Sequence, residues 1–224
     1  MIMLFFPQGC CACGEVLLRG EQIVCTKCLV ELPKTNFHKI RQNMIEKVFW
    51  GRIYIERATA YLFFIKESRT QHLLHQLKYN GRSDIGIFLG KHFGESLMEE
   101  PDYANIDVII PVPLHPDKLK KRGYNQSEMI AIGMSKSMKK PIDTTNLKRL
   151  VFTETQTKKS KIERWENVQN VFGAEFDNNI NGKHVLLVDD VLTTGATIEG
   201  CVAALKKENP NVKISIATLA FAHN

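Results

Sequence analysis

No stretch of this 224-residue sequence is apolar over the length that a membrane-spanning helix requires. The apolar start, Met1–Phe6, is too short for the hydrophobic region of a signal peptide, has no leading basic residue and runs into cysteines. Internal repeats and low-complexity tracts are also absent from the sequence. We therefore expect a cytoplasmic protein with no membrane insertion.

Composition is ordinary for a soluble globular protein, with 44% apolar and 24% charged residues. A chain of this length can bury a full α/β core and still carry a small appendage. The formal charge of +6 suits anionic partners such as nucleotides or nucleic acid, although charge alone does not identify one. The sequence has two clusters of cationic residues, and each is as compatible with a solvated helix face as with a surface for anionic partners. The first cluster is Lys118, Lys120, Lys121 and Arg122, and the second is Lys158, Lys159, Lys161 and Arg164.

Cysteine is scarce outside one short segment, because five of the six cysteines lie within residues 10–28. Two Cys-x-x-Cys pairs, separated by eleven residues, are Cys10 with Cys13 and Cys25 with Cys28. This spacing predicts one four-thiolate Zn²⁺ site, which is structural because four thiolates leave no position open for water. Disulfides, free structural thiols and a ligand set that includes Cys11 are the alternatives. We predict a zinc ribbon over residues 1–36 and an α/β domain over residues 37–224.

The most informative stretch is Val185–Thr197. Its first four residues are apolar and predict a strand buried on both faces, as in a parallel sheet. Asp189 and Asp190 come next, where we expect the strand to end. The small residues that follow offer backbone N–H groups to an anion at a helix N-terminus. Because the carboxylates repel phosphate, they fit sugar hydroxyls or a hard cation instead. This edge is therefore predicted to bind a sugar phosphate.

The remaining segments complete an α/β pattern. Helices are predicted from Arg69 to about Asn80, over Ser83–Glu99, after an Asn125 cap, and over a face formed by Ile198, Cys201, Val202 and Leu205. Further strands are predicted over Ile53–Phe64, Asp107–Ile110, Leu147–Phe152, Val171–Phe176 and Val212–Phe221. The prolines of Pro111–Pro116 predict a rigid loop after one of these strands, at the ligand edge. The fold class is a mostly parallel twisted sheet with helices on both faces.

Two resemblances sharpen this interpretation. Val185–Thr197 resembles the phosphoribosyl diphosphate (PRPP) motif of type I phosphoribosyltransferases. Over nearly the whole chain, the sequence resembles the ComF family, which is often described as amidophosphoribosyltransferase-like or as competence proteins of DNA uptake. The segments that carry this second resemblance are the cysteine ribbon, His75–Gly81, Pro111–Pro116, Arg122–Gln126, the Gln156 segment with Glu163–Val168, and Val185–Thr197.

The resemblance implies roles for individual residues. Asp189 and Asp190 contact the ribose hydroxyls, and Mg²⁺ accompanies PRPP. Lys158 and Arg164 lie in a loop that closes over the site and assists the departure of pyrophosphate. The residues implied to hold the 5′-phosphate are Thr193, Thr194, Gly195, Ala196 and Thr197. Those implied to contact the diphosphate are Val112, Pro113, Leu114, His115, Lys118 and Arg122. Lys159 and Asn170 depart from the usual apolar residue and glycine of the family.

Two functions follow as hypotheses. The first is a transferase that moves ribose 5-phosphate from PRPP to a nitrogen acceptor and releases pyrophosphate. No residue cluster identifies the acceptor, and the cysteines lie inside the ribbon rather than forming a glutaminase nucleophile. The second is a binding module for PRPP or a nucleotide, whose basic surface engages single-stranded DNA or competence proteins. Tyr79 and Tyr124 are candidates for base stacking in that module, with core or pocket roles as the alternative.

Overall fold

A computed structural model describes residues 8–150, 171–175 and 180–222. Its strands are β1 (Ala58–Phe63), β2 (Val108–Pro111), β3 (Leu147–Arg149), β4 (Phe172–Ala174), β5 (His184–Leu192) and β6 (Lys213–Phe221). The main sheet has the order β1-β6-β5-β2, and all its neighbouring strands are parallel. Strands β3 and β4 form a separate antiparallel pair. The predicted α/β class with a mostly parallel sheet is confirmed.

The helices surround this sheet. They are α1 (Thr26–Glu31), α2 (Met44–Val48), α3 (Arg69–Tyr79), α4 (Ser83–Leu97), α5 (Pro101–Ala104), α6 (Pro116–Arg122), α7 (Gln126–Met138) and α8 (Ala196–Glu208), with a short 3₁₀ helix at Phe37–Lys39. None of the helices in the described part of the chain has the length and apolar character needed to cross a bilayer.

Alternate residues of each strand pack on opposite faces, which places helices on both sides of the sheet. On one face, Leu186 and Val188 of β5 belong to a core that includes the apolar residues of α3, α4 and α7. On the other face, Val185 and Leu187 share a second core with α2 and α8. The fully apolar strands of the sequence are therefore covered on both faces, as a parallel sheet requires.

Helices α4 and α7 approach each other unusually closely because each carries a glycine at the crossing. A Cβ atom at Gly90 would lie 2.2 Å from the carbonyl oxygen of Ile130. A Cβ atom at Gly133 would lie 2.1 Å from the carbonyl oxygen of Ile87. This contact fixes α7 against the sheet and so positions its N-terminus, where Asn125 accepts a hydrogen bond from the N–H of Ser127.

The structure corrects several predicted boundaries. Strand β5 does not end before the two aspartates but continues to Leu192, because β6 pairs with it as far as Leu192. Residues 53–57 precede β1 rather than form a strand, and β3 and β4 are shorter than predicted. The predicted helices α3, α4 and α7 agree with the structure to within about two residues at their ends.

A network of charged side chains is buried at the amino end of the sheet, just before β1. The Arg57 Nε atom lies 2.7 Å from Glu46 Oε1, and its Nη1 atom pairs with Asp102. Its Nη2 atom donates to the carbonyl oxygens of His38 and Ile40, both at 3.1 Å. All three guanidinium nitrogens of this buried arginine therefore have acceptors.

Candidate functional site

The acidic pair lies at the carboxyl edge of the sheet, where one neighbouring strand has ended. Pro111, the last residue of β2, pairs with Val188 of β5. Strand β5 runs on beside β6, so Asp189 and Asp190 lie beyond the end of β2. Both residues are half-buried. The proline that ends β2 thus opens the space into which a ligand can reach them.

Within the described part of the chain, the hydrogen-bond donors to Asp189 are neutral. The hydroxyl of Ser127, in the first turn of α7, donates to Asp189 Oδ1 at 2.9 Å, and the backbone N–H of Asp190 donates to the same atom at 2.9 Å. Burial, together with the adjacent Asp190 carboxylate, raises the pKa of Asp189 from 3.8 to about 7. The Asp189 carboxylate is therefore short of compensating positive charge.

Asp190 has one cationic partner, which comes from α3. The Lys78 Nζ atom lies 3.0 Å from Asp190 Oδ2, and the two side chains are 22% and 17% exposed. The two adjacent carboxylates therefore share one ammonium group and one serine hydroxyl. Such a pair suits a ligand that brings hydroxyl donors or a hard cation such as Mg²⁺.

The loop after β5 leads directly into the N-terminus of α8. Gly195 has a left-handed backbone (φ 85°), and a Cβ atom there would lie 2.8 Å from the Phe49 ring. The N–H of Glu199 makes the first bond of the helix, to the Gly195 carbonyl oxygen, so the amides before it have no partner within the helix. The exposed residues of this segment are Thr193, Thr194, Ala196 and Thr197. The loop can therefore present N–H groups and hydroxyls to an anion.

Arg52 holds this loop in place from outside. Its Nη1 atom donates to the carbonyl oxygen of Thr194 at 2.9 Å and to that of Val48 at 3.1 Å. Its Nε atom lies 2.5 Å from Glu199 Oε1 on α8. One side chain thus ties the loop to both α2 and α8.

The segment predicted to contact diphosphate, Val112–His115, adjoins the acidic pair. The N–H of Val112 donates to the Val188 carbonyl oxygen at 2.8 Å, and Asn125 Nδ2 donates to the Val112 carbonyl oxygen at 2.9 Å. The Nδ1 atom of His115 caps α6 by accepting the N–H of Asp117 at 3.2 Å. This segment and the acidic pair therefore share one edge of the sheet.

The two predicted diphosphate cations have different surroundings. Lys118 is exposed on α6. Arg122 donates through Nη1 to Gln126 Oε1 at 2.6 Å, and its guanidinium lies 5.4 Å from the ring centre of Tyr79. The described contacts of Arg122 are thus with α7 and α3 rather than with the carboxylates.

The four cysteines of the two Cys-x-x-Cys pairs come together. The Sγ atoms of Cys10, Cys13, Cys25 and Cys28 all lie within 4.8 Å of one another. Thiolates around a tetrahedral Zn²⁺ at about 2.3 Å are roughly 3.8 Å apart, so this cluster fits a four-thiolate ion with little adjustment. Cys11 is buried and lies outside this group of four.

Two features of the local backbone prepare this cluster for a metal. Gly14 has a φ of 82°, as the predicted tight turn after the first pair requires. Burial raises the pKa of Cys10, but hydrogen bonds from the backbone N–H groups of Cys25, Cys13 and Ala12 outweigh burial and bring it down to about 7. The thiolate form, which binds metals, is thereby favoured at this position.

The remaining site residues fall into two groups: predicted residues that the structure does not describe, and residues near the site that were not predicted. Lys158 and Arg164, predicted to assist catalysis, lie outside the described residues. Sequence reasoning assigned no role to Lys78, Ser127 or Arg52, although Lys78 falls within the His75–Gly81 segment that carries the family resemblance. For Ser127 the available signal was its place two residues after the Asn125 cap.

Comparisons with known proteins agree with this geometry. Residues 130–224 match the family model described as phosphoribosyl transferase domain. The chain is 28% identical over 194 residues to the DNA utilization protein YhgH of Shigella flexneri, covering 85% of this chain and 81% of the relative. It is 29% identical over 211 residues to competence protein F of Haemophilus influenzae, covering 90% and 80%.

A solved structure gives a partial likeness. The glutamine PRPP amidotransferase of Bacillus subtilis, in complex with ADP and GMP, aligns with 64% of this chain and 30% of its own at a TM-score of 0.45 and 22% identity. The resemblance seen in the sequence is confirmed by these comparisons: residues 130–224 match the phosphoribosyl transferase domain, and the relatives along the chain are named as competence and DNA utilization proteins.

Proposed function

We propose that the chain binds PRPP and transfers its ribose 5-phosphate group to a nitrogen nucleophile, with release of pyrophosphate. One observation carries this proposal. The carboxylates of Asp189 and Asp190, which share one cation, directly precede a loop that can present N–H groups to an anion at a helix N-terminus. A sugar phosphate fits this site, because its hydroxyls match the carboxylates and its phosphate matches the loop. Within the proposal, Asp189 and Asp190 accept the ribose hydroxyls, and Thr193–Thr197 donate to the 5′-phosphate.

The proposed reaction needs stabilisation of the leaving group. The bond from C1′ to the diphosphate oxygen breaks with its electron pair leaving on pyrophosphate, the nitrogen of the acceptor bonds C1′, and that nitrogen loses a proton. Val112–His115 lies beside the acidic pair and supports the diphosphate, and Lys118 and Arg122 contribute positive charge. Lys158 and Arg164 remain proposals from the sequence. Mg²⁺ bound with PRPP supplies further neutralisation of the diphosphate.

We further propose that the cysteine cluster holds a structural Zn²⁺ within a ribbon of residues 1–36, ahead of a transferase domain at 37–224, in a cytoplasmic protein. Elemental analysis of the purified chain should find one zinc per protein. Cys13→Ser should lose the metal, whereas Cys11→Ser, the matched control, should retain it. Metal retention by Cys13→Ser, or loss in Cys11→Ser, would contradict this ligand set.

Calorimetric titration of PRPP with Mg²⁺ tests the main proposal. The wild-type chain should bind, and Asp189→Asn/Asp190→Asn should abolish binding. Glu99→Gln/Glu100→Gln is the matched control, because it removes an adjacent carboxylate pair at a distant surface position and should bind as the wild type does. Absence of binding to folded, metal-loaded wild-type protein would refute the proposal. PRPP-dependent release of pyrophosphate, screened across nitrogen bases, then identifies the acceptor.

A second candidate function is binding of single-stranded DNA, which the names of the relatives and one surface favour. Tyr79 is 62% exposed, with the Arg122 guanidinium over one side of its ring and the His75 ring 4.9 Å away. Lys120 and Lys121 are exposed on α6. An exposed ring beside several cations is the arrangement on which bases stack while phosphates meet positive charge. Tyr124 is less suitable, because its hydroxyl donates to the Leu77 carbonyl oxygen.

Fluorescence anisotropy with a labelled oligonucleotide at several salt concentrations tests this candidate. Lys120→Ala/Lys121→Ala should weaken binding and reduce its salt dependence by about two counterions. Lys34→Ala/Lys66→Ala, at two other exposed or half-exposed positions, is the charge-matched control. No DNA binding by the wild type at low salt would remove this candidate.

A further inference from the structure

Helix α3 lies between the cysteine ribbon and the acidic pair, and it contacts both. On the ribbon side, Leu73, Leu74 and Leu77 belong to the same buried core as the cysteines of the ribbon. Gln76 Nε2 donates to the carbonyl oxygen of Cys11 at 2.7 Å. Arg69, at the start of α3, also pairs with Glu31 of α1. The ribbon therefore contacts α3 near both of its ends, at Arg69 and at Gln76.

The last turn of α3 is fixed on the other side by the acidic pair and its neighbours. Lys78 pairs with Asp190, and the Tyr124 hydroxyl donates to the Leu77 carbonyl oxygen at 2.5 Å. Because both side chains of the Lys78–Asp190 pair are mostly shielded from water, this contact is worth more than an exposed ion pair.

The position of the lysine depends on the position of its helix. A lysine is a point charge on a flexible stem, so the backbone beneath it decides which carboxylate it reaches. An isolated helix of the eleven residues of α3 is marginal in water and owes its order to packing. The ribbon contributes to that order through its contacts with Arg69 and Gln76.

We propose that Lys78 is a positioning residue that orients Asp190 toward the ribose, and that the metal-bound ribbon keeps Lys78 in place through α3. This inference rests on the proposed PRPP site. It gives the ribbon a part in ligand binding although none of its cysteines touches the ligand. Removal of the metal, or of the Gln76 contact, should then weaken PRPP binding at a distance.

Variants of Lys78 test the first half. Lys78→Met keeps the length of the side chain but not its charge and should weaken PRPP binding by about tenfold to a hundredfold, since it leaves a half-buried carboxylate unpaired. Lys78→Arg should recover most of the affinity, which a purely steric role would not produce. Lys66→Met, at an exposed position before α3, is the control and should bind normally. PRPP binding by Lys78→Met that equals or exceeds that of the wild type, or no recovery with arginine, would overturn the inference.

Amide hydrogen exchange tests the second half without any ligand. In Gln76→Ala, which retains all four cysteines of the cluster, exchange over Arg69–Tyr79 should rise while exchange over Ala196–Glu208 stays constant. Chelation of the metal should produce a larger rise in the same segment. His72→Ala, at an exposed position on the same helix, should leave exchange unchanged.

The outcomes separate the two proposals. If the wild type does not bind PRPP, the proposed function fails, whatever the exchange data show. If it binds, Gln76→Ala should weaken PRPP binding by up to about tenfold, as expected if loss of one partly buried hydrogen bond lets α3 and Lys78 shift. Unchanged exchange and unchanged affinity in Gln76→Ala would overturn the link between ribbon and site.

Discussion

The two ends of the parallel sheet each hold two carboxylates, and they differ in how many cations meet them. At the amino end, Glu46 and Asp102 share Arg57, and Asp102 also pairs with Arg41. At the carboxyl end, the cation that the described residues provide for Asp189 and Asp190 is Lys78, and the other donors, the Ser127 hydroxyl and the Asp190 N–H, are neutral. Among the described residues, the first arrangement has two cations for two anions, whereas the second has one cation for two anions. We call the first the balanced end and the second the unbalanced end, and the unbalanced end is where we propose that the ligand binds.

Because of this difference, removing a charge should have opposite effects on stability at the two ends. Removing a charge from the balanced end leaves a buried group without its partner and lowers stability. Removing a carboxylate from the unbalanced end relieves repulsion and should raise stability while it removes binding. The following predictions test this contrast, beginning with the largest expected change.

Arg57→Met should lower the free energy of unfolding by about 3–5 kcal/mol, because it leaves the buried Glu46 carboxylate without its cation and removes one of the two cations of Asp102. Urea denaturation measures the change. Arg41→Met is the matched control: the Arg41 side chain is 76% exposed and pairs with the same Asp102, so its removal should cost less than about 1 kcal/mol. Equal losses in the two variants would show that burial of Arg57 is not the deciding factor.

Asp189→Asn should stabilise the chain in a pH-dependent way. The folded-state pKa of Asp189, about 7, lies above its ordinary value of 3.8. The folded state therefore holds its proton longer than the unfolded state does, so the wild type loses stability as pH rises from about 4 to about 7. The asparagine variant avoids this loss. Its advantage over the wild type should grow from less than about 1 kcal/mol at pH 4 to about 4 kcal/mol at pH 8.

Urea titrations at pH 4, 6 and 8 measure this advantage. Glu67→Gln is the control, because that side chain is exposed and has no charged partner among the described residues, so its replacement should change stability little at any of the three pH values. An advantage of Asp189→Asn that does not change between pH 4 and 8 would contradict the account of the carboxyl end as short of positive charge.

The contrast between the two ends also shows which structural features can be predicted from residues that are close together in the sequence. The helical periodicities and the Asn125 cap depend on neighbouring residues, and they located α3, α4 and α7 correctly. The acid pair, the loop and each cysteine pair are short local motifs, so the sequence alone was enough to single out their residues. The extension of β5 through Asp189 and Asp190 was missed, because two acids rarely continue a buried strand and only pairing with β6 explains it.

Contacts between distant segments could not be predicted in this way. Lys78 meets Asp190 across more than a hundred residues of chain, and Arg52 meets Thr194 across a similar distance. Neither contact leaves a periodic or spaced signal in the sequence. Arg57 is a further case: it lies in a segment whose apolar and β-branched residues predicted a strand, yet it serves as the buried centre of the ion pairs before β1.

The smallest predicted change concerns Ser127, the neutral donor at the unbalanced end. Ser127→Ala should cost about 1 kcal/mol at pH 8, where its hydroxyl donates to an ionised Asp189, because hydrogen bonds to charged groups contribute more than neutral ones. At pH 5 the loss should be smaller, since Asp189 is then largely protonated. Ser96→Ala is the matched control: its hydroxyl donates to the neutral carbonyl oxygen of His92, so its cost should not vary with pH. A loss for Ser127→Ala that is the same at both pH values would mean that the hydroxyl does not compensate the Asp189 charge. The carboxyl end would then have one compensating group fewer, and its need for a ligand would be greater.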